Sequence, residues 1–148
     1  MDVAHVLIAS DAPWVHDDIK AALPSAATVR SLVSGRAVTA AVAEQKPDLV
    51  VLDFQIGNMG GMATCLELHN EESGGRLPHV PVLMLLDRQA DVYLARQSNA
   101  EGWLVKPLDP IRLRKAVNRL LEGHTYTDRV QTGDAGLNYR ATPDSTAR

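Results

Sequence analysis

The chain has 148 residues, of which 45% are apolar and 22% are charged, and its formal net charge is −3 at pH 7. This composition is that of a globular protein with a sizeable core, and the slight negative charge disfavours a nucleic-acid-binding surface. The single cysteine, Cys65, excludes an intrachain disulfide, and no segment has the pattern of a signal peptide or the length of a membrane span. We therefore expect a cytoplasmic protein.

Five short, mostly apolar runs divide the first 122 residues, and each has the length of a strand. The second run is less apolar than the others, so we expect it nearer an edge of the sheet. The runs occupy residues 6–9, 28–33, 49–53, 80–86 and 102–105. A segment with apolar residues at helical spacing follows each run, such as Val15, Ile19 and Ala22 after the first. Pro13 and Pro110 stand where the first turns of two of these helices are expected.

The alternation of strands and helices predicts five βα units. We expect an α/β fold of the flavodoxin-like type, a doubly wound five-stranded parallel sheet with strand order 2-1-3-4-5 and helices on both faces. Residues 1–122 would form this domain. Residues 123–148 are rich in Thr, Gly, Asp and Arg, and they form either a flexible tail or an arm that docks through Tyr126 and Tyr139 on its own domain or on a neighbour.

Charged side chains collect at the predicted carboxyl ends of the strands, where open α/β sheets bind their ligands. Asp11 follows the first strand, Asp53 ends the third, and Lys106 follows the fifth. If the strand order reverses between the first and third strands, the two aspartates lie side by side and need a cation to stay ionised. Mg²⁺ suits such a pair, and Lys106 adds a positive charge. Such a site can handle a phosphoryl group, with one carboxylate as the nucleophile.

These features resemble those of response-regulator receiver domains, in particular the single-domain chemotaxis type, from about residue 3 to residue 121. The resemblance is carried by segments 10–13, 47–53, 55–61 and 106–107. It implies that Asp53 is the phosphoacceptor and that Lys106 is the partner of the phosphoryl group. It also implies Mg²⁺ as the cofactor, held by Asp11, Asp53 and the backbone carbonyl of Gln55.

The function that this resemblance implies is that of a single-domain response regulator in a two-component phosphorelay, a signalling protein and not an enzyme. A histidine kinase or a phosphotransfer protein would donate the phosphoryl group. Output would be binding to a protein that the sequence does not identify, without direct contact to nucleic acid or membrane, and homodimer formation is left open. A phosphatase of similar architecture is disfavoured because it needs a second aspartate where Gln55 stands.

Five positions depart from the usual receiver pattern, and one of them is Gly57, which stands where the loop after the third strand usually has a proline. Ser10 replaces an acid at the end of the first strand, and Leu86 replaces the Ser or Thr whose hydroxyl contacts the phosphoryl group. Asp87 stands where a small residue is usual, either as a helix cap or as a charge that repels the phosphodonor. Leu86 and Trp103 stand at the two switch positions of the family, and Trp103 is bulkier than the aromatic residue that is usual there. Ser10, Leu86 and Asp87 motivate an alternative function, a pseudo-receiver that acts as a phosphorylation-independent protein-docking module.

Overall fold

The computed structural model describes residues 3–57 and 59–127. The strands are β1 (His5–Ala9), β2 (Thr28–Leu32), β3 (Leu49–Asp53), β4 (Val82–Leu86), β5 (Gly102–Val105) and β6 (Tyr126–Thr127). The α-helices are α1 (Pro13–Ala22), α2 (Val38–Glu44), α3 (Gly61–Ser73), α4 (Val92–Gln97) and α5 (Pro110–Leu121). The five predicted βα units are confirmed. None of the helices in the described part of the chain is long and apolar enough to cross a membrane.

The strands form one parallel sheet in the order β2-β1-β3-β4-β5-β6. The predicted order 2-1-3-4-5 is confirmed, and β6 extends the sheet beyond it. The strand order reverses between β1 and β3, which are neighbours, and Ala9 at the end of β1 pairs with Leu52. The crevice beside such a reversal is the expected ligand site of a doubly wound sheet.

Every residue of the central strands β3 and β4 is buried, because helices cover both faces of the sheet. One core layer packs α2, α3 and α4 against one face, and the other packs α1 and α5 against the opposite face. Successive strand residues point to opposite faces, so Met84 lies in the first layer and Leu85 in the second. Each fully buried side chain of this size contributes about 1.5–3 kcal/mol, which explains why these strands are apolar apart from Asp53 at the end of β3.

Two helices begin at the edge of the sheet that carries the predicted site. Pro13 opens α1 and Pro110 opens α5, as predicted. The side chain of Asp109 accepts a hydrogen bond from the N–H of Ile111 at 3.2 Å and therefore caps α5. These boundaries place the first turns of α1 and α5 beside the carboxyl ends of β1 and β5.

The strand β6 lies in the stretch predicted to be a tail. The chain turns after α5 at Gly123, whose φ of 88° is in the left-handed region that glycine tolerates. The N–H of Tyr126 then donates to the carbonyl oxygen of Glu101 at 3.0 Å, and Tyr126 pairs with Gly102. This short segment docks on its own domain, which was one of the two alternatives. Residues 128–148, including Tyr139, lie outside the described residues, so the boundary at 122 stays a prediction.

Gly102 provides the space that β6 occupies. A Cβ atom at this position would lie 2.9 Å from the backbone oxygen of Tyr126 and 3.2 Å from Cδ1 of Leu120. We expect Gly102→Ala to lower the free energy of unfolding by about 1–3 kcal/mol, because β6 or α5 must shift to accommodate the methyl group. Urea denaturation followed by circular dichroism measures this change.

The control for this prediction is Gly60→Ala, because a Cβ atom there would meet no neighbour closer than 3.6 Å. The control is expected to lose less stability than Gly102→Ala. Equal losses in the two variants would show that β6 does not press against Gly102.

Candidate phosphoacceptor site

Asp53 is the last residue of β3, and its side chain lies at the carboxyl edge of the sheet. The strands next to β3 in the sheet are β1 and β4, so the segments that follow these two strands lie close to the carboxylate of Asp53. The residue is only 3% exposed. An unpaired carboxylate at this burial would cost several kcal/mol. Both oxygens of Asp53 have partners, and these partners directly follow other strands of the sheet.

The first partner is Ser10, which follows β1 and is fully buried. Its hydroxyl donates to Oδ2 of Asp53 at 2.7 Å and accepts a hydrogen bond from the N–H of Ala12 at 3.0 Å. Nε2 of His16 lies 2.7 Å from the carbonyl oxygen of Ser10, and this nitrogen carries the proton because a carbonyl only accepts. Hydrogen bonds therefore fix both the side chain and the backbone of Ser10, and the fixed hydroxyl orients the carboxylate of Asp53.

The second partner is Lys106, which follows β5. Its ammonium Nζ donates to Oδ1 of Asp53 at 2.9 Å and to Oδ1 of Asp87 at 3.0 Å, and it lies 5.6 Å from the ring centroid of Trp14. Burial lowers the pKa of Lys106, but the hydrogen bonds to both carboxylates and their attraction outweigh this effect and raise the pKa above its ordinary value. Lys106 therefore carries its charge at neutral pH.

Asp11 and Gln55 lie in the loops next to this pair. Oδ2 of Asp11 accepts a hydrogen bond from the N–H of Gly57 at 3.2 Å, which joins the loop after β1 to the loop after β3. The N–H of Gln55 donates to Oδ1 of Asp53 at 3.3 Å. The structure thus brings together the predicted residues Asp11, Asp53, Gln55 and Lys106 at one edge of the sheet.

The donors at this edge fit one kind of metal ion. Within residues 3–57 and 59–127, no three His, Cys, Asp or Glu side chains form a cluster that could hold a metal. Mg²⁺, however, is usually bound by one or two carboxylates and keeps several of its waters. The carboxylates of Asp11 and Asp53, which come from neighbouring strands, match this requirement. Ser10 contributes a neutral hydroxyl instead of a third negative charge.

Residues 6–118 match the family described as response regulator receiver domain. The chain belongs to this family. It is 25% identical over 148 residues to the nitrate/nitrite response regulator NarL of Escherichia coli K12, covering 98% of the chain and 67% of that protein. It is 31% identical over 128 residues to the transcriptional regulator RpaA of Synechocystis, covering 84% of the chain and 51% of that protein. The chain thus spans two thirds of NarL and about half of RpaA.

Solved structures show the same fold. The signal receiver domain of NarL from Mycobacterium tuberculosis superposes with a TM-score of 0.70 at 26% identity, covering 84% of this chain and all of that one (100%). The chemotaxis response regulator CheY4 of Vibrio cholerae also gives a TM-score of 0.70, at 23% identity, covering 80% of this chain and 99% of that one. The predicted resemblance is therefore confirmed at the level of family and fold.

The two predicted switch positions of the receiver domain lie in its core. Leu86 is fully buried and Trp103 is 6% exposed, and both belong to the layer that contains Ala95 of α4. The guanidinium of Arg96 lies 5.8 Å from the centroid of the Trp103 ring. Leu86 has no hydroxyl to offer a ligand on Asp53. Its contribution is burial of apolar surface between β4 and α4.

Asp87 does not cap the next helix, so that prediction is wrong. The cap position of the 3-10 turn Gln89–Asp91 is Arg88, whose N–H donates to Oδ2 of Asp91 at 3.3 Å. The side chain of Asp87 turns instead toward Lys106. It therefore adds a second carboxylate beside the ammonium that neutralises Asp53.

Sequence reasoning missed three contacts of this site. The sequence indicates Ser10 only as the loss of an acid, whereas its hydroxyl is a direct partner of Asp53. Asp87 and Trp14 were not assigned to Lys106, although each stands next to the carboxyl end of a strand. Position alone was the available signal, because the sequence does not tell which way a loop side chain points.

The contribution of the Ser10 hydroxyl to stability can be tested by replacing Ser10 with alanine. Ser10→Ala leaves Oδ2 of Asp53 and the N–H of Ala12 without this partner in a buried place. We expect a loss of about 1–3 kcal/mol in the free energy of unfolding, measured by urea denaturation at pH 7. The control Ser25→Ala removes an exposed hydroxyl and should stay within about 0.5 kcal/mol of wild type. Equal stability of Ser10→Ala and wild type would refute the role of this hydrogen bond.

Proposed function

We propose that this receiver domain accepts a phosphoryl group on Asp53 from a histidine kinase or a phosphotransfer protein and signals by binding another protein in the cytoplasm. Membership of the response regulator receiver family supports signalling of this kind. The observation that carries the assignment of Asp53 is its buried carboxylate, with the ammonium of Lys106 2.9 Å from Oδ1. A charged nucleophile beside a fixed cation is the arrangement that phosphoryl transfer needs.

In the proposed step, the P–N bond of a phosphohistidine breaks as a P–O bond forms to an oxygen of Asp53. The electron pair of the broken bond goes to the imidazole nitrogen, and an acyl phosphate results. Lys106 neutralises charge on the carboxylate and on the incoming oxygens, while Ser10 fixes the direction of the carboxylate. Asp11, Asp53 and the backbone carbonyl of Gln55 would hold Mg²⁺, which supplies further charge neutralisation.

The proposal predicts a covalent adduct on one residue. Incubation with acetyl phosphate and Mg²⁺, or with a cognate kinase and ATP, is expected to add about 80 Da, the mass of one phosphoryl group, as measured by intact mass spectrometry. Asp53→Asn should abolish the adduct because the amide is not a nucleophile.

The matched control is Asp48→Asn, which alters an exposed aspartate just before the opposite end of β3. This variant should keep the adduct. Absence of any adduct on the wild-type protein with either donor, or an adduct that persists in Asp53→Asn, would contradict the assignment.

A pseudo-receiver is the second candidate, and the burial of Leu86 is the observation that favours it. The side chain at this position is apolar and fully enclosed in the core, so it makes no hydrogen bond to a phosphoryl group. In that case an adduct on Asp53 would shift only the amide NMR signals next to the site and leave those of α4 unchanged, and partner binding would be equal in wild type and Asp53→Asn. Under the first proposal, the signals of α4 also shift when the adduct forms.

A further inference from the structure

The ammonium of Lys106 is surrounded on three sides. Asp53 and Asp87 accept its hydrogen bonds at 2.9 and 3.0 Å, and the ring of Trp14 lies 5.6 Å away with its aromatic face toward the charge. The Lys106 side chain is 15% exposed. An ammonium has three N–H donors, and two of them are already used by carboxylates. Phosphoryl oxygens on Asp53 would therefore have to compete with Asp87 for the hydrogen bonds and the positive charge of Lys106.

Asp87 is the more weakly held of the two carboxylates that contact Lys106. Its side chain is 34% exposed, compared with 3% for Asp53. The nearby cation Arg88 is engaged by another residue, since its guanidinium donates to Oδ1 of Asp91 at 2.9 Å. The ion pair between Asp87 and Lys106 is therefore the contact that can open at least cost, because exposed ion pairs contribute little stability.

We propose that Asp87 is a resting-state latch, a positioning residue that holds Lys106 and competes with the phosphoryl group for it. This inference rests on the proposed function of Asp53. When an anionic group arrives at Asp53, Lys106 releases Asp87 and turns its donors to the new oxygens, and the negative charge of Asp87 is left beside them. The like charges repel, so Asp87 lowers the affinity of the site for phosphoryl groups and for their anionic analogues.

The latch is tested with beryllofluoride, an anionic mimic of the phosphoryl group, in the presence of Mg²⁺. Isothermal titration calorimetry on the full chain gives the dissociation constant for wild type and for Asp87→Asn, which keeps the shape of the side chain and removes its charge. We expect the variant to bind on the order of fivefold more tightly, the effect of one partly exposed charge pair. Salt should shrink this difference, since it screens the repulsion.

The control variant is Glu122→Gln, which removes one negative charge just after the far end of α5. It should bind beryllofluoride with wild-type affinity. Thermal unfolding of Asp87→Asn verifies that the fold is retained, and its partly exposed position predicts little change in the unfolding temperature.

The possible outcomes separate the latch from the function on which it rests. Equal or weaker binding by Asp87→Asn, with clear binding by wild type, would overturn the latch and leave the phosphoacceptor role of Asp53 intact. Tighter binding that does not depend on salt would also overturn it, because a charge effect must be screened. If neither protein binds beryllofluoride and wild type forms no covalent adduct, the proposed function fails and the latch fails with it.

Discussion

The site depends on partners for the carboxylate of Asp53, which is buried inside the protein. At 3% exposure this group has almost no water to solvate it, so its charge must be balanced by the chain itself. Lys106 supplies the opposite charge, and Ser10 supplies a hydrogen bond to the other oxygen. The partners come from positions 43 residues before and 53 residues after Asp53, so only the folded sheet brings them together.

The sheet topology explains why these partners meet. In the order β2-β1-β3-β4-β5-β6, the neighbours of β3 are β1 and β4, and β5 lies next to β4. The residues that follow these strands are Ser10, Asp87 and Lys106. All strands are parallel, so their carboxyl ends open on one edge of the sheet. Apolar strands buried on both faces thus fix the backbone, and the polar residues just beyond them determine the chemistry.

Much of the fold and part of the site could be predicted from the sequence. Apolar runs separated by helical patterns specify the βα units because burial on both faces demands them, and strand ends predict the grouping of Asp53 with Lys106. The role of Ser10 and the direction of the Asp87 side chain could not be predicted, since loop backbone angles decide them. The strand β6 was missed because two residues, Tyr126 and Thr127, give no periodic signal.

Three departures from the usual receiver pattern change the charges or contacts around Asp53. Ser10 removes a negative charge on one side of Asp53, and Asp87 adds one on the other side, next to Lys106. Leu86 replaces a hydroxyl by buried apolar surface. The site therefore keeps the nucleophile and its cation, while the contacts that surround them are redistributed.

The coupling between Asp53 and Lys106 can be measured directly by a double-mutant cycle. The variants Asp53→Asn and Lys106→Met and their combination are compared by urea denaturation at pH 7. If the buried ion pair organises the site, Lys106→Met lowers the free energy of unfolding much more when Asp53 is present than in the Asp53→Asn background, with a coupling energy of about 1–3 kcal/mol. Losses that add without coupling would contradict the central role of this pair.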